Sequence, residues 1–177
     1  GEKYMTFVQE NKEKNIRIEK MGITDISAVV RMCDQCVGEK LYSESEIRDA
    51  AVNPDSFIFL LKNQENMLCG YVYFQKTSQD EMADFLKIDQ AVLKNLMGSE
   101  KNTLVNFRSI GIEPKMRNKG LSEILFSFAI EYSQKILKAD YMLGAFWKKY
   151  DEIPMESNLR KFKFEHLLTV KNMWYEN

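Results

Sequence analysis

The stretch that most constrains the fold runs from residue 103 to residue 147. TLVNFRSIGI (103–112) reads as a strand. LSEILFSFAIEYSQKILK (121–138) reads as a long helix, apolar nearly all round in its first half, and ADYMLGAFW (139–147) as another strand. A helix with apolar residues on every side belongs in an interior. A strand, a helix and a strand in that order make a parallel pair with a right-handed crossover.

The remaining elements build outward from this unit. IRIEK (16–20) alternates as a short strand does. Thr24 or Asp25 can cap a helix running to about Val37, with Ile23, Ile26, Val29 or Val30, and Cys33 on one face. SESEIRDAAV, capped by Ser43 or Ser45, predicts a second helix that stops at Asn53-Pro54. SFIFLLKN (56–63) and MLCGYVYFQK (67–76) flank the polar turn NQEN and predict a hairpin. MADFLKIDQAVLKNLMG carries a helix-like stripe at Phe85, Ile88, Val92, Leu93 and Leu96, closed by Gly98. It suits either core packing or a lid over a site, packing being the simpler reading. PMESNLRKF predicts a short helix with Pro154 in its first turn, and FEHLLTV and MWYEN two closing strands. The prediction is an α/β protein with a mixed central sheet of about six to seven strands flanked by helices. It forms one domain over 1–177, with 1–15 as an N-terminal extension and 77–103 as a helical insertion between strands.

Composition narrows the function classes. A chain of 177 residues, 45% hydrophobic and 12% aromatic, supports a real core. Its 25 basic and 26 acidic residues leave a net charge of −1, which argues against bulk binding to nucleic acid or an anionic membrane. No apolar run reaches the roughly 20 residues of a membrane helix. The first residues, GEKYMTFVQENKEKN, lack the apolar centre of a signal peptide. The expectation is a soluble, cytoplasmic protein. Cys33, Cys36 and Cys69 are an odd number of thiols and suggest no disulfide framework. Cys33 and Cys36 form a CxxC, but His166 is the lone histidine and no second CxxC exists, so no metal is expected.

Between strand 103–112 and helix 121–138 lies EPKMRNKG (113–120), with Lys115, Arg117 and Lys119 around one glycine, Gly120. The first amides of a helix have no internal partner and the helix dipole adds partial positive charge there. Such a corner is a natural site for pyrophosphate, and Gly120 lets a phosphate approach the backbone. The loop is neither a G-x-x-x-x-G-K-[ST] loop nor a G-x-G-x-x-G fingerprint. It does match R-x-x-G-x-G/A, as Arg117-Asn118-Lys119-Gly120-Leu121-Ser122, after Ile112-Glu113-Pro114 and before an apolar helix.

On these residues the chain resembles the GNAT superfamily of acyl-CoA-dependent N-acyltransferases. The order of elements over about residues 16 to 175 fits that fold as well, and LRKFKFE resembles the family's GFE segment. Ser122 stands where Gly or Ala is usual, a small residue that keeps close approach open. The resemblance implies that Arg117, Asn118, Lys119, Gly120, Leu121 and Ser122 bind the pyrophosphate of coenzyme A. It implies further that strand 103–112 splays from its neighbour at 141–147, and that the pantetheine arm pairs in the gap with the backbone of Ile110, Gly111 and Ile112. A backbone amide there would polarise the thioester carbonyl. The reaction implied is direct transfer of an acetyl group from acetyl-CoA to a primary amine of a small molecule, amino acid or protein. Members of the family are often dimers, so a homodimer is one option.

The amine must lose a proton, the oxyanion needs a donor, and the leaving thiolate can take a proton. The family often supplies that last proton from a Tyr four residues before the Gly of GFE. Here Leu159 stands at that Tyr and Lys163 at that Gly, so the role does not transfer. Tyr150 is a substitute candidate for the acid and Glu113, at the strand end, for the base. Asp80, Glu81 and Asp84 lie in the insertion, each readable as plain surface charge. Arg108, in an otherwise apolar strand, must be paired or functional. It either holds an acidic acceptor or forms a structural salt bridge. His166, Trp147 and Trp174 read as packing residues, with Trp147 also placed to line an acceptor cleft. Two other readings stay open: a coenzyme A-binding sensor or interaction module with weak catalysis, and a thiol-based redox or metal protein built on the CxxC.

Overall fold

A computed structural model of the chain describes residues 9–11, 15–36, 41–98, 103–145 and 156–164. Among the described residues six strands lie in the sheet order β1-β2-β3-β4-β5-β6. They are β1 (Gln9–Asn11), β2 (Ile16–Lys20), β3 (Ser56–Asn63), β4 (Leu68–Thr77), β5 (Leu104–Ile112) and β6 (Tyr141–Gly144). The helices are α1 (Ile26–Cys36), α2 (Glu44–Val52), α3 (Gln79–Leu86), α4 (Gln90–Met97), α5 (Leu121–Lys135) and α6 (Glu156–Lys161). β1 to β4 pair antiparallel in turn, whereas β5 and β6 pair parallel. The sheet is therefore mixed, as the sequence predicts. β1 falls inside the segment read as an extension, and the two predicted closing strands lie outside the described residues. Among the described residues no helix is long and apolar enough to cross a membrane.

The chain gathers into two compact units, Gly1–Gln75 with Arg108–Ala129, and Lys76–Phe107 with Ile130–Asn177. In the first, the β3–β4 hairpin is buried on both faces, which is why SFIFLLKN is a nearly unbroken apolar run. Ile58, Leu60, Tyr71 and Tyr73 meet Ile26, Val29, Met32 and Cys33 of α1 and Ile47 and Ala50 of α2. On the other face Phe59 stacks on Phe74 and meets Phe128 of α5 edge-on at 4.7 Å between ring centroids. The NQEN turn closes through Asn66 in the left-handed region (φ 63°), with its N–H donating to Asn63 C=O at 3.0 Å.

α2 begins as the sequence predicts, with Ser43 Oγ accepting from Glu46 N–H at 3.1 Å. α1 starts later than Thr24, after a 3-10 turn at Ile23–Asp25, and Ile23 points outward at 75% exposure instead of joining the stripe. Across the β2–β3 pair, Lys62 is 7% exposed and holds Glu19 at 2.7 Å and Asp25 at 3.0 Å.

In the second unit the segment after β4 is two helices, not one. Lys87 adopts a left-handed conformation (φ 56°) as the C-cap of α3, and Asp89 caps α4 by accepting from Ala91 N–H at 2.9 Å. Met82, Ala83, Leu86 and Leu93 pack with Leu104 and Leu143. This is the packing reading of the insertion. The break rotates the stripe, and Val92 and Leu96 are each 43% exposed. Asn106 Oδ1 is buried in β5 with no hydrogen-bond partner among the described residues.

Candidate functional site

Two features of the first unit meet on β5: a strand edge that runs into the basic loop, and a cleft above Arg108.

The edge follows from strand alternation. Glu113 N–H donates to Cys69 C=O at 2.8 Å at one end, and Arg108 meets Gln75 at the other, so β5 runs antiparallel to β4. Main-chain groups of successive residues face opposite edges. Those of Glu113, Gly111 and Ser109 face β4, while those of Ile112, Ile110 and Arg108 face away. On that far edge the described pairing with β6 covers Leu104–Phe107. That described pairing ends at Phe107 with Gly144, and the described part of the neighbouring segment ends at Ala145. The Ile112 carbonyl is already engaged, accepting from Cys36 Sγ at 3.2 Å and Arg117 Nε at 3.3 Å.

β5 leads into a 3-10 turn at Pro114–Met116, capped by the Glu113 carboxylate accepting from Lys115 N–H at 2.8 Å. Asn118 (φ 64°) and Gly120 (φ 75°) are both left-handed, two positions apart with Lys119 between them. Asn tolerates this conformation and Gly adopts it without strain. Such alternation turns consecutive amides toward one side and forms anion-binding concavities. α5 starts at Leu121, and the first backbone bond of its start is Ile124 N–H to Gly120 C=O at 3.3 Å. The amides before Ile124 have no acceptor within the helix. Arg117, Asn118, Lys119 and Gly120 are exposed, Ser122 is half-buried, and Leu121 is buried and ties the loop to the core.

Gly111 has a packing reason to be glycine. A Cβ there would stand 2.5 Å from Tyr71 Cε1 and 2.9 Å from Cys36 Cβ.

The cleft has a volume of about 220 Å³ and lies between α2 and the sheet. Arg108 forms part of its wall, with Tyr42, Glu46, Asp49, Tyr73 and Gln75. Arg108 Nη1 donates to Gln75 Oε1 at 2.9 Å, and its guanidinium lies 5.6 Å from the Tyr42 ring and 5.2 Å from the Tyr73 ring. Gln75 Nε2 donates onward to the Tyr73 hydroxyl at 2.9 Å and to Ser56 Oγ at 3.0 Å. Burial pushes the Tyr42 phenol up to about 12 against the opposing pull of Arg108, and burial likewise raises Tyr73. Both rings stay neutral at physiological pH. Sequence reasoning named Arg108 but missed Tyr42, Tyr73 and Gln75. The alternation in YVYFQ places Tyr73 and Gln75 on one face, a signal that needed the β4–β5 pairing to become useful.

Glu113 is engaged as a cap, at the loop end of β5. Tyr150, Trp147, Trp174 and His166 lie outside the described residues. Leu159 is half-buried in α6. Lys163 is left-handed (φ 62°), with its N–H on Arg160 C=O at 3.0 Å. A glycine would suit that position best, which is what the resemblance to GFE calls for. Cys33, Cys36 and Cys69 are free thiols. Burial raises Cys33 to about 11 and raises Cys36 despite the neighbouring Arg117, so both remain protonated and are poor redox nucleophiles at neutral pH. Among the described residues no three His, Cys, Asp or Glu side chains are grouped to hold a metal ion.

This is the fold of the GNAT acetyltransferases. The chain is similar to a GNAT family acetyltransferase from Staphylococcus aureus at TM-score 0.55 and 14% identity, covering 77% of this chain and 90% of that one. It is similar to the aminoglycoside 6'-N-acetyltransferase AAC(6')-Ih of Acinetobacter baumannii at TM-score 0.65 and 8% identity, covering 92% and 97%. It is also similar to AAC(6')-Iy, solved with the bisubstrate analogue CoA-S-monomethyl-acetylneamine, at TM-score 0.65 and 12% identity, again covering 92% and 97%. No protein-family model and no curated protein matches the sequence.

Proposed function

We propose that the chain is a GNAT-type N-acyltransferase that moves an acetyl group from acetyl-CoA directly to a primary amine. The observation that carries this reading is the left-handed, basic loop that joins β5 to the start of α5. In this reading the Arg117 side chain and the amides of Asn118 to Ser122 hold the pyrophosphate, with Lys115 and Lys119 adding charge. The pantetheine amides pair with the outward main-chain groups of Ile110 and the N–H of Ile112, while Gly111 contributes by letting the strand close on Tyr71.

The thioester then lies toward the Arg108 end of the strand. An outward N–H there donates to the carbonyl oxygen as it becomes an oxyanion. The neutral amine attacks, a C–N bond forms, the C–S bond breaks, and the amine proton passes to solvent or to a carboxylate. Glu113, the sequence's candidate base, caps the turn at the loop end of β5. Tyr150 is the sequence's candidate for protonating the thiolate.

Calorimetric titration with acetyl-CoA tests the reading. Wild type should bind, and Gly120→Trp should bind at least about tenfold more weakly, because a bulky side chain at φ 75° fills the concavity. A wild type that takes up no acetyl-CoA would sink the proposal. The second reading, a coenzyme A-binding module with weak catalysis, is favoured by Leu159, which offers no phenol where the family places one. Tight binding without thiol release on any amine would select it.

A further inference from the structure

The sequence marks Cys36 as half of a CxxC, and the structure puts it to a different use. Cys36 is the last residue of α1 and is half-buried. The helix end lies hard against β5: a Cβ at Gly111 would stand 2.9 Å from Cys36 Cβ and 3.2 Å from its sulfur. The helix behind it is fixed in the core by Ile26, Val29, Met32 and Cys33. From this position Cys36 Sγ donates to the Ile112 carbonyl at 3.2 Å, a residue 76 positions further along the chain.

The same carbonyl accepts from Arg117 Nε at 3.3 Å. A carbonyl oxygen has two lone pairs, and these two donors use both. Burial raises the Cys36 thiol more than the neighbouring Arg117 guanidinium lowers it, so the thiol keeps its proton and serves as a donor.

Arg117 itself is exposed in the basic loop. An exposed arginine has many rotamers, and freezing them when a ligand arrives costs affinity. Here Nε is already held on the strand. Among the described residues the two terminal nitrogens have no hydrogen-bond or ion-pair partner. They form the open end of the fork, which matches two oxygens of one phosphate group. The shared carbonyl therefore sets the guanidinium before any phosphate binds.

We infer that Cys36 is a positioning residue for the coenzyme, holding Arg117 through the shared Ile112 carbonyl so that its terminal nitrogens meet the pyrophosphate. This rests on the coenzyme-binding reading above. It also gives the second thiol of the CxxC a role that needs neither a metal nor a disulfide.

The test is a double-mutant cycle on the full chain, read as the Kd for acetyl-CoA by calorimetry well below the lowest Tm of the set. Arg117→Gln should weaken binding by about tenfold or more, the range for hydrogen bonds to a charged group. Cys36→Ala should weaken it by about threefold or more, the range for a neutral hydrogen bond. Cys36→Ser keeps a donor for the same carbonyl and should recover most of that loss. In the Arg117→Gln background Cys36→Ala should change Kd by less than about twofold, because the group it positions is gone. A purely structural cysteine would instead weaken binding by the same factor in both backgrounds. Melting curves without ligand show that each variant folds, and Cys36→Ser carries the comparison with Arg117→Gln should Cys36→Ala not fold. The inference is overturned by an unchanged Kd in Cys36→Ala, by equal factors in the two backgrounds, by Cys36→Ser binding as weakly as Cys36→Ala, or by Arg117→Gln binding like wild type. Any of these, with acetyl-CoA still bound by wild type, leaves the acyl-transfer reading standing. Failure of wild type to bind acetyl-CoA brings both down.

Discussion

A methyl group at Gly111 would stand 2.5 Å from a ring carbon of Tyr71, well inside van der Waals contact, with Cys36 Cβ at 2.9 Å on its other side. Neither neighbour can yield easily. Tyr71 is 1% exposed and its hydroxyl bonds to Ser109, and Cys36 is bonded to the Ile112 carbonyl. Gly111→Ala should therefore cost about 1–3 kcal/mol, as overpacking of a filled core does. In a chain of this size that lowers Tm by roughly 2–4 °C per kcal/mol. A melting curve matching wild type would show that Tyr71 repacks at no cost. Cys36 is a milder case, because its thiol shares the Ile112 carbonyl with Arg117. The glycine was visible in the sequence as a strand residue before the loop, and its reason was not, since Tyr71 and Cys36 lie 40 and 75 positions away.

At the scale of elements, β5 divides its amides into two sets. Ser109 and Gly111 face β4, whereas Ile110 and Ile112 face the far edge, so hydrogen exchange should separate them. Without ligand the amides of Ile110 and Ile112 should exchange much faster than those of Ser109 and Gly111. Acetyl-CoA should slow the first pair and leave the second as it was. Uniform protection along β5 before ligand is added would mean that another part of the chain covers the edge.

The β2–β3 pair makes a different prediction. Burial alone would raise Glu19, but its bonds to Lys62 and Arg17 outweigh that and hold its carboxyl below the usual range. Burial alone would lower Lys62, but Glu19 and Asp25 outweigh that and hold it above its ordinary value. A depressed carboxylate contributes stability above its unfolded pKa and loses it as pH falls through the folded value. A raised lysine contributes below its unfolded pKa and loses it as pH rises through the folded value. Lys62→Gln should thus cost about 1–3 kcal/mol near neutral pH. In chemical denaturation the gap to wild type should shrink below about pH 4, as Glu19 protonates. A gap that stayed constant into acid would assign the loss to packing of the lysine stem. These elements were legible because each carries its own signal: the Ser43 cap, the polar NQEN turn and the unbroken run of β3. The break between α3 and α4 was not, because a left-handed Lys87 has no local marker and Asp89 as a cap is easily read as surface charge.

For the whole molecule, the strand, loop and helix at 103–138 were readable because the loop's chemistry is contiguous in sequence. The cleft was not, because Tyr42, Tyr73, Gln75 and Arg108 come from three separate segments and meet only once β4 and β5 are paired. Arg108 alone looked like a buried charge awaiting a partner, and Gln75, Tyr42 and Tyr73 are among the neighbours it meets. If the loop and the β5 edge hold the coenzyme as proposed, its binding is linked to global stability. A ligand that binds only the folded state at a hundred times its Kd stabilises by about 2.7 kcal/mol. For a chain of this length that raises Tm by roughly 2–4 °C per kcal/mol, a shift well within reach of a melting experiment. Wild type should show this rise with acetyl-CoA and a similar one with coenzyme A, since the pyrophosphate and pantetheine contacts are common to both. Gly120→Trp should show neither. Arg108→Gln should show both, because its guanidinium lines the cleft beside α2 and not the loop. A thermal shift lost in Arg108→Gln but kept in Gly120→Trp would reverse the two assignments and place the coenzyme in the cleft.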